Sequence, residues 1–253
     1  MKKLLGLALI AGLAPLGLTV PARAADAGSA SSMHKLDQRL DAAATTLDQI
    51  ESVKLKAVPD WIASKAKCIA VVPGLVKGAF IVGAEYGQGV VTCRTPHGWS
   101  APAFIRMAGG SWGFQIGGKG TDLVLVAMND KGMQDLLKSR FEIGGGASAA
   151  AGPVGRTAGA ATSLSMNSEL LTYSRSHGLF AGIDLKGVTV SQNVPDTVEL
   201  YAGKYHAINS ILDGHAAMPH NAAAHHFMHV VQQYFGQART RHDESTSPKM
   251  KNQ

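Results

Sequence analysis

The side chains best suited to chemistry lie late in the chain. Seven of the ten histidines fall between His206 and His242, and His225, His226 and His229 fit within one helical turn. His225 and His229 stand at i, i+4 and would share a helix face, the spacing that puts two imidazoles on one metal, with His220 or His215 as a third ligand. The same segment holds Phe227, Val230, Val231 and Tyr234, which need packing. A metal site on His220, His225 and His229 is therefore kept as an alternative reading, and no cofactor is expected. A phosphate loop fails on its own pattern. Gly113, Gly118 and Lys119 fit G-x-x-x-x-G-K, but Gly120 replaces the magnesium-binding Ser or Thr, and a strand-like run follows where a helix should start. The acids Glu85, Asp122, Glu142, Glu169 and Asp184 are scattered singly, and no spacing pairs two of them for acid–base work. Glu85, set among apolar neighbours, reads as a buried carboxylate with its hydrogen bonds met. No enzyme is expected.

Cations concentrate once. Lys54, Lys56, Lys65, Lys67 and Lys77 share a window whose sole acid is Asp60, interleaved with Trp61 and Phe80. Lysines beside aromatics suit the headgroup layer of an anionic membrane, where each contributes about 1 kcal/mol. An ordinary solvated face with Trp61 in the core is the competing reading. Cys68 and Cys93 lie in the strand-like runs CIAVV and VVTCR, and in an oxidising compartment such a pair is expected to be joined; two buried thiols remain the alternative.

The elements that must hold these groups begin after a leader. Lys2 and Lys3, the apolar run Leu4 to Val20 and Ala22-Arg23-Ala24 make a signal peptide over 1–24, cut near Ala24, so the chain is expected to be exported, periplasmic or secreted. Its removal takes three of the 24 basic residues and leaves 21 against 18 acids, which is no nucleic-acid footprint. With 45% apolar residues, 17% charged residues and 29 glycines, the 253-residue chain is neither disordered nor a coiled coil. Residues 25–58 read as a disordered start, Ala25 to Ser32, followed by an amphipathic helix with Leu36, Leu40, Leu47 and Ile50 on one stripe, ended by Pro59. Short apolar runs follow from Ile69 to Met128. They are separated by Pro73-Gly74, Gly87-Gln88-Gly89, Pro96-His97-Gly98, Gly109-Gly110 and Gly117 to Gly120, each expected to be a turn. Helices are expected over Asp60–Lys67, Asn129–Ser139, Pro195–Tyr205 and Ala222–Phe235, and strands over Leu170–Arg175 and Leu179–Val190. A small-residue run, 144–161, either borders a cavity or packs densely. A His-rich helical segment, 215–236, and a polar tail, 237–253, complete the chain.

Three phrases together resemble the SYLF-domain family: AKCIAVVPGLVKGAFIVGAEYGQGVV (66–91), GWSAPAFI (98–105) and ELLTYSRSHGLFAGIDLKG (169–187). YAGKYHAINSIL (201–212) is similar to the family's closing Tyr-Gly helix, so the resemblance spans about 59–214. It implies an α+β fold, with an antiparallel β-barrel-like or sandwiched core flanked by short helices and with N- and C-terminal helices. It also implies a non-enzymatic phospholipid-binding role. A structural or scaffolding protein that binds another protein is the remaining alternative. Some eukaryotic members enter membranes through a basic N-terminal segment. Here Asp37, Asp41, Asp48 and Glu51 make that helix acidic, so binding is expected at the lysines from Lys54 to Lys77.

Overall fold

The computed structural model describes residues 23–53, 57–79, 82–112, 119–154, 168–176, 179–180 and 185–236. Ten strands form one curled, half-barrel sheet: β1 Cys68–Ala79, β2 Val82–Thr95, β3 Gly98–Trp99, β4 Ala103–Trp112, β5 Lys119–Ala127, β6 Arg140–Glu142, β7 Ala149–Ala151, β8 Leu170–Ser176, β9 Leu179–Phe180 and β10 Thr189–Gln192. The order is β6-β10-β4-β2-β1-β5-β8-β7, with β3 added to β2 and β9 to β8. All pairings are antiparallel except β7 with β8. Among the described residues six helices accompany the sheet: α1 Arg23–Glu51, α2 Asp60–Lys65, α3 Asp130–Leu137, α4 Val194–Leu200, α5 Ile208–Leu212 and α6 Ala222–Val231, the last continued by a π-helical turn to Gly236. The expected α+β class is the observed one.

Three of the expected turns are strand. β1 runs through Pro73-Gly74, where its register shifts against both neighbours. Proline cannot donate to a ladder, so a central strand tolerates it only at such a bulge. Gly74 takes the left-handed conformation the bulge needs (φ +56°), and its N–H reaches Asp122 Oδ1 at 3.0 Å. β2 runs straight through Gly87-Gln88-Gly89 for a different reason. A Cβ on Gly87 would sit 2.7 Å from Leu75 Cδ1 and Val72 Cγ1, and one on Gly89 would strike the Val71 carbonyl oxygen. These glycines let two strands approach; they do not turn the chain. Gly109, in β4, would likewise meet Val188 at 3.0 Å. The segment 185–190 joins the sheet only from Thr189, and α5 was not foreseen.

β1 from Cys68 to Val72 and β5 from Leu123 to Ala127 are buried on both faces. One face, with Ile69, Val71, Val124 and Phe104, lies under α1, whose Arg39 guanidinium is 5.0 Å above the Phe104 ring. The α1 stripe Leu36, Leu40, Ala43, Leu47 and Ile50 is buried, as its spacing requires. The helix starts at Arg23, so the segment Ala25 to Ser32 is helical, not disordered; it contains no proline, and its alanines favour the helix that the single Gly28 weakens.

Three acids of α1 face α6. Asp37 accepts from Asn221 Nδ2 (2.6 Å), Asp41 meets His226 Nδ1 (2.9 Å) and Asp48 accepts from the Tyr234 hydroxyl (2.7 Å). Cys68 and Cys93 are cross-strand partners joined by a disulfide, S–S 2.02 Å. Replacing both cysteines with alanine should lower unfolding free energy by about 3 kcal/mol in denaturant melts. Gly89→Ala should cost about 1–3 kcal/mol through overpacking, with the urea midpoint falling accordingly.

Candidate functional site

The strand lengths divide the lysine cluster. Lys67 precedes β1 and Lys77 lies near its far end, so ten residues of extended chain separate them by about 30 Å. At the disulfide end, Lys65 Nζ lies 5.9 Å over the ring of Trp61, which is half-buried against the core. Lys67 pairs with Asp130 at 3.0 Å. Lys54, Lys56 and Phe80 lie outside the described residues. At the other end the register sets Lys77 opposite Glu85 on β2 and Lys119 on β5. Glu85 is 3% exposed, the buried carboxylate its neighbours imply. Among the described residues, Trp61, Lys65 and Lys67 thus lie at the disulfide end of β1, about 30 Å of strand from the backbone position of Lys77.

Among the described residues the histidines do not converge on one site. His225 and His229 are exposed on α6, and His226 is engaged by Asp41. Among the described residues no three His, Cys, Asp or Glu side chains come together to hold a metal ion. The string Gly109-Gly110-Ser111-Trp112-Gly113 spells the serine hydrolase pattern G-x-S-x-G. Its serine, however, lies within β4 and is not at a strand-to-helix elbow.

A cavity of about 510 Å³ opens where the sheet's two end strands approach each other. It is lined by the small residues 143–151, by Glu169 and Thr172 at β8, by Lys131 on α3, and by Leu185-Lys186. Residues 144–151 of the Gly/Ala run thus border a cavity, and 155–161 lie outside the described residues. Ile143 bridges Ala147, and the Gly144 N–H donates to the Ala147 carbonyl (2.7 Å), so the link from β6 to β7 is a tight turn. Gly144 sits in the left-handed region there (φ +87°).

Lys131 crosses the floor of the cavity, donating to Glu169 (2.6 Å), Asp135 (3.3 Å) and the Gly146 carbonyl (3.1 Å). Its hydrogen bond with Glu169 raises the Lys131 ammonium above its usual range. Burial works to raise the Glu169 carboxyl. Hydrogen bonds from Lys131 and from the Ser148 backbone and hydroxyl outweigh it, and the carboxyl lies below its usual value. This network escaped the sequence because its members are 131, 148 and 169, and only the 131/135 spacing hints that Lys131 is held.

A family profile named Ysc84, described as Las17-binding protein actin regulator, matches residues 108–234, half of the chain. The chain belongs to the Ysc84, or SYLF, family. SYLF relatives include SH3 domain-containing YSC84-like protein 1 of Rattus norvegicus, 36% identical over 169 residues, which is 66% of this chain and 49% of the relative. The human protein of that name is 34% identical over the same length. Protein YSC84 of Saccharomyces cerevisiae is 30% identical over 197 residues, 76% of this chain and 41% of its own. This SYLF chain thus spans about half or less of the length of these relatives.

The depressed Glu169 carboxyl has a consequence for stability. Because its folded value lies below the unfolded one near 4.5, its contribution is present above pH 4.5 and is lost as pH falls through the folded value. Glu169→Gln should flatten this acid limb, measured as urea-unfolding free energy between pH 6 and pH 3, and lower stability most near neutrality.

Proposed function

We propose that this chain is an exported, non-catalytic domain that binds anionic phospholipid surfaces. The observation that supports it is the separation of charge. Asp37, Asp41 and Asp48 are gathered between α1 and α6, Asp135 is covered by Lys131 and Lys138, and Asp196 is tied to Arg39 (2.5 Å). Near the end of β1 far from the disulfide, Lys77 and Lys119 are register partners. Such a distribution orients the chain in the field of an anionic membrane, with α1 turned away. No helix among the described residues is long and apolar enough to cross a membrane, so the contact proposed is peripheral.

Export rests on the leader 1–24 and is supported by the buried disulfide, which persists in oxidising compartments. Cutting after Ala24 removes only the first two residues of α1. A second reading, a scaffold that binds another protein, is favoured by the family's description as Las17-binding and by relatives whose names include an SH3 domain.

Two measurements test the proposal. The intact mass of the exported product should correspond to a chain starting at Ala25. That product should co-sediment with phosphatidylglycerol vesicles and not with phosphatidylcholine, losing most binding as salt rises from 50 to 500 mM, the screening expected of charge attraction. Indifference to headgroup charge would overturn the lipid reading and leave the scaffold.

A further inference from the structure

The α1 face of the sheet carries two cations that the fold does not neutralise. Ser191 of β10 stands opposite both Arg140 on β6 and Arg106 on β4, and Arg106 in turn stands opposite Gln88 on β2. Register partners share a face. Arg140, Ser191, Arg106 and Gln88 therefore line up across four strands, on the face where Phe104 lies under Arg39. Arg106 is partly buried, and its Nε is sealed from water without a hydrogen-bond partner. Arg140 is exposed. Among the described residues neither guanidinium belongs to an ion pair.

The neighbouring acids are engaged elsewhere. Asp196 accepts from Arg39 (2.5 Å) and from the Asn193 amide (2.6 Å). Glu142, two residues beyond Arg140, turns to the β6–β7 link, where its Oε1 lies 3.3 Å from the place a Cβ on Gly145 would take. Glu85 is on the other face, because strand side chains alternate and Gln88 is three residues further on. The uncharged neighbours are donors. Gln88 accepts from Arg39 through Oε1 (2.5 Å), which leaves its amide nitrogen to donate elsewhere. Ser191 places a hydroxyl between the two arginines, and Thr189, opposite Ala108, places another one step along β10. Tyr86 and Ala108, the next residues on this face, are exposed, so α1 leaves the row open on its hairpin side.

We infer that this row is a receptor for a phosphate monoester. Native folds meet nearly all their buried donors, and an arginine placed as Arg106 is takes its acceptor from outside the chain. Two unneutralised guanidinium groups match a dianion, which a carboxylate or a phosphodiester is not. Two strand spacings separate the arginines by about 10 Å. A tetrahedral group over Ser191 then lies between two planar forks, each able to give parallel N–H···O bonds. Gln88 and Thr189 add donors beside it. The inference deepens the phospholipid reading by naming the headgroup, a terminal phosphate, and rests on that reading only where the ester carries acyl chains. A soluble phosphate ester presents the same group.

Glycerol phosphate serves as the soluble probe, followed by phosphorus NMR and by the melting temperature. Phosphatidate and phosphatidylglycerol vesicles of equal surface charge serve as the lipid probes. Glycerol phosphate should bind saturably and raise the melting temperature, and phosphatidate vesicles should bind more tightly than phosphatidylglycerol ones. Arg106→Gln should weaken both monoester probes by about tenfold or more. It should not lower the melting temperature of the ligand-free chain, because it removes an unmet buried donor. Arg140→Gln, at an exposed position, should weaken both by about threefold.

Saturable glycerol phosphate binding without vesicle binding supports the receptor and overturns the lipid reading. Phosphatidate binding alone, lost in Arg106→Gln, supports the receptor with a lipid as its source. Equal sedimentation with both vesicles, unchanged in Arg106→Gln, overturns the receptor and keeps the phospholipid reading. A lowered melting temperature in Arg106→Gln with unchanged binding overturns the receptor too, since Arg106 then serves the fold. No binding of any probe overturns both.

Discussion

The register of β1 against its two neighbours is the constraint on which the rest depends. Strand side chains alternate with period two, so a slip of one residue would send every member of β1 to the wrong face. The register is held at one end by the Cys68–Cys93 bond and crosses a bulge at Pro73-Gly74. It is tightened between them by Gly87 and Gly89, which admit Val72 and Leu75. With it fixed, Glu85 is buried, Val76 meets Tyr86, and the cations of β1 and β5 fall into one row. Each of those placements follows from the pairing and none from local sequence.

Every described helix except α5 was legible because it advertises itself locally. The α1 stripe has the 3.6-residue period, Asn129 and Asn221 cap α3 and α6 by accepting from Gly132 and Ala224 (both 2.8 Å), and Pro195 opens α4. The disulfide and the sheet class were legible too. Glycine was misleading, since one residue type serves turns, bulges and inter-strand contact. Only the third-dimension neighbour of Gly89 tells which role it has. The cation cluster was legible as composition and not as a place, because ten residues of extended chain carry Lys77 away from Lys67. The Lys131–Glu169 network lay beyond sequence altogether, joining α3, β8 and the turn at Ser148.

The acids of α1 show how one set of charges can serve two ends. They hold α6 through Asn221, His226 and Tyr234, and α6 in turn buries Phe227 and Val231 beside the α1 stripe. The partners advance in step along both helices, from Asp37 to Asp48 and from Asn221 to Tyr234, so the helices run parallel. Arg94 locks this layer to the sheet. It stacks 4.5 Å over Trp99 and donates to the carbonyls of Ala63, Ala66 and Phe235, joining α2, β2 and the end of the C-terminal helix.

The two ends of the strand path, β6 and β7, are three residues each, and the tight turn at Gly144 draws them towards one another. A sheet's outer strands are where identical molecules recruit each other into fibrils, since unmet N–H and C=O groups there act as a template. Here the template is only three residues long at either end, with the cavity lined by 143–151 beside it. End strands this short limit how far a sequence rich in valine, alanine and glycine can offer its own edges to another copy.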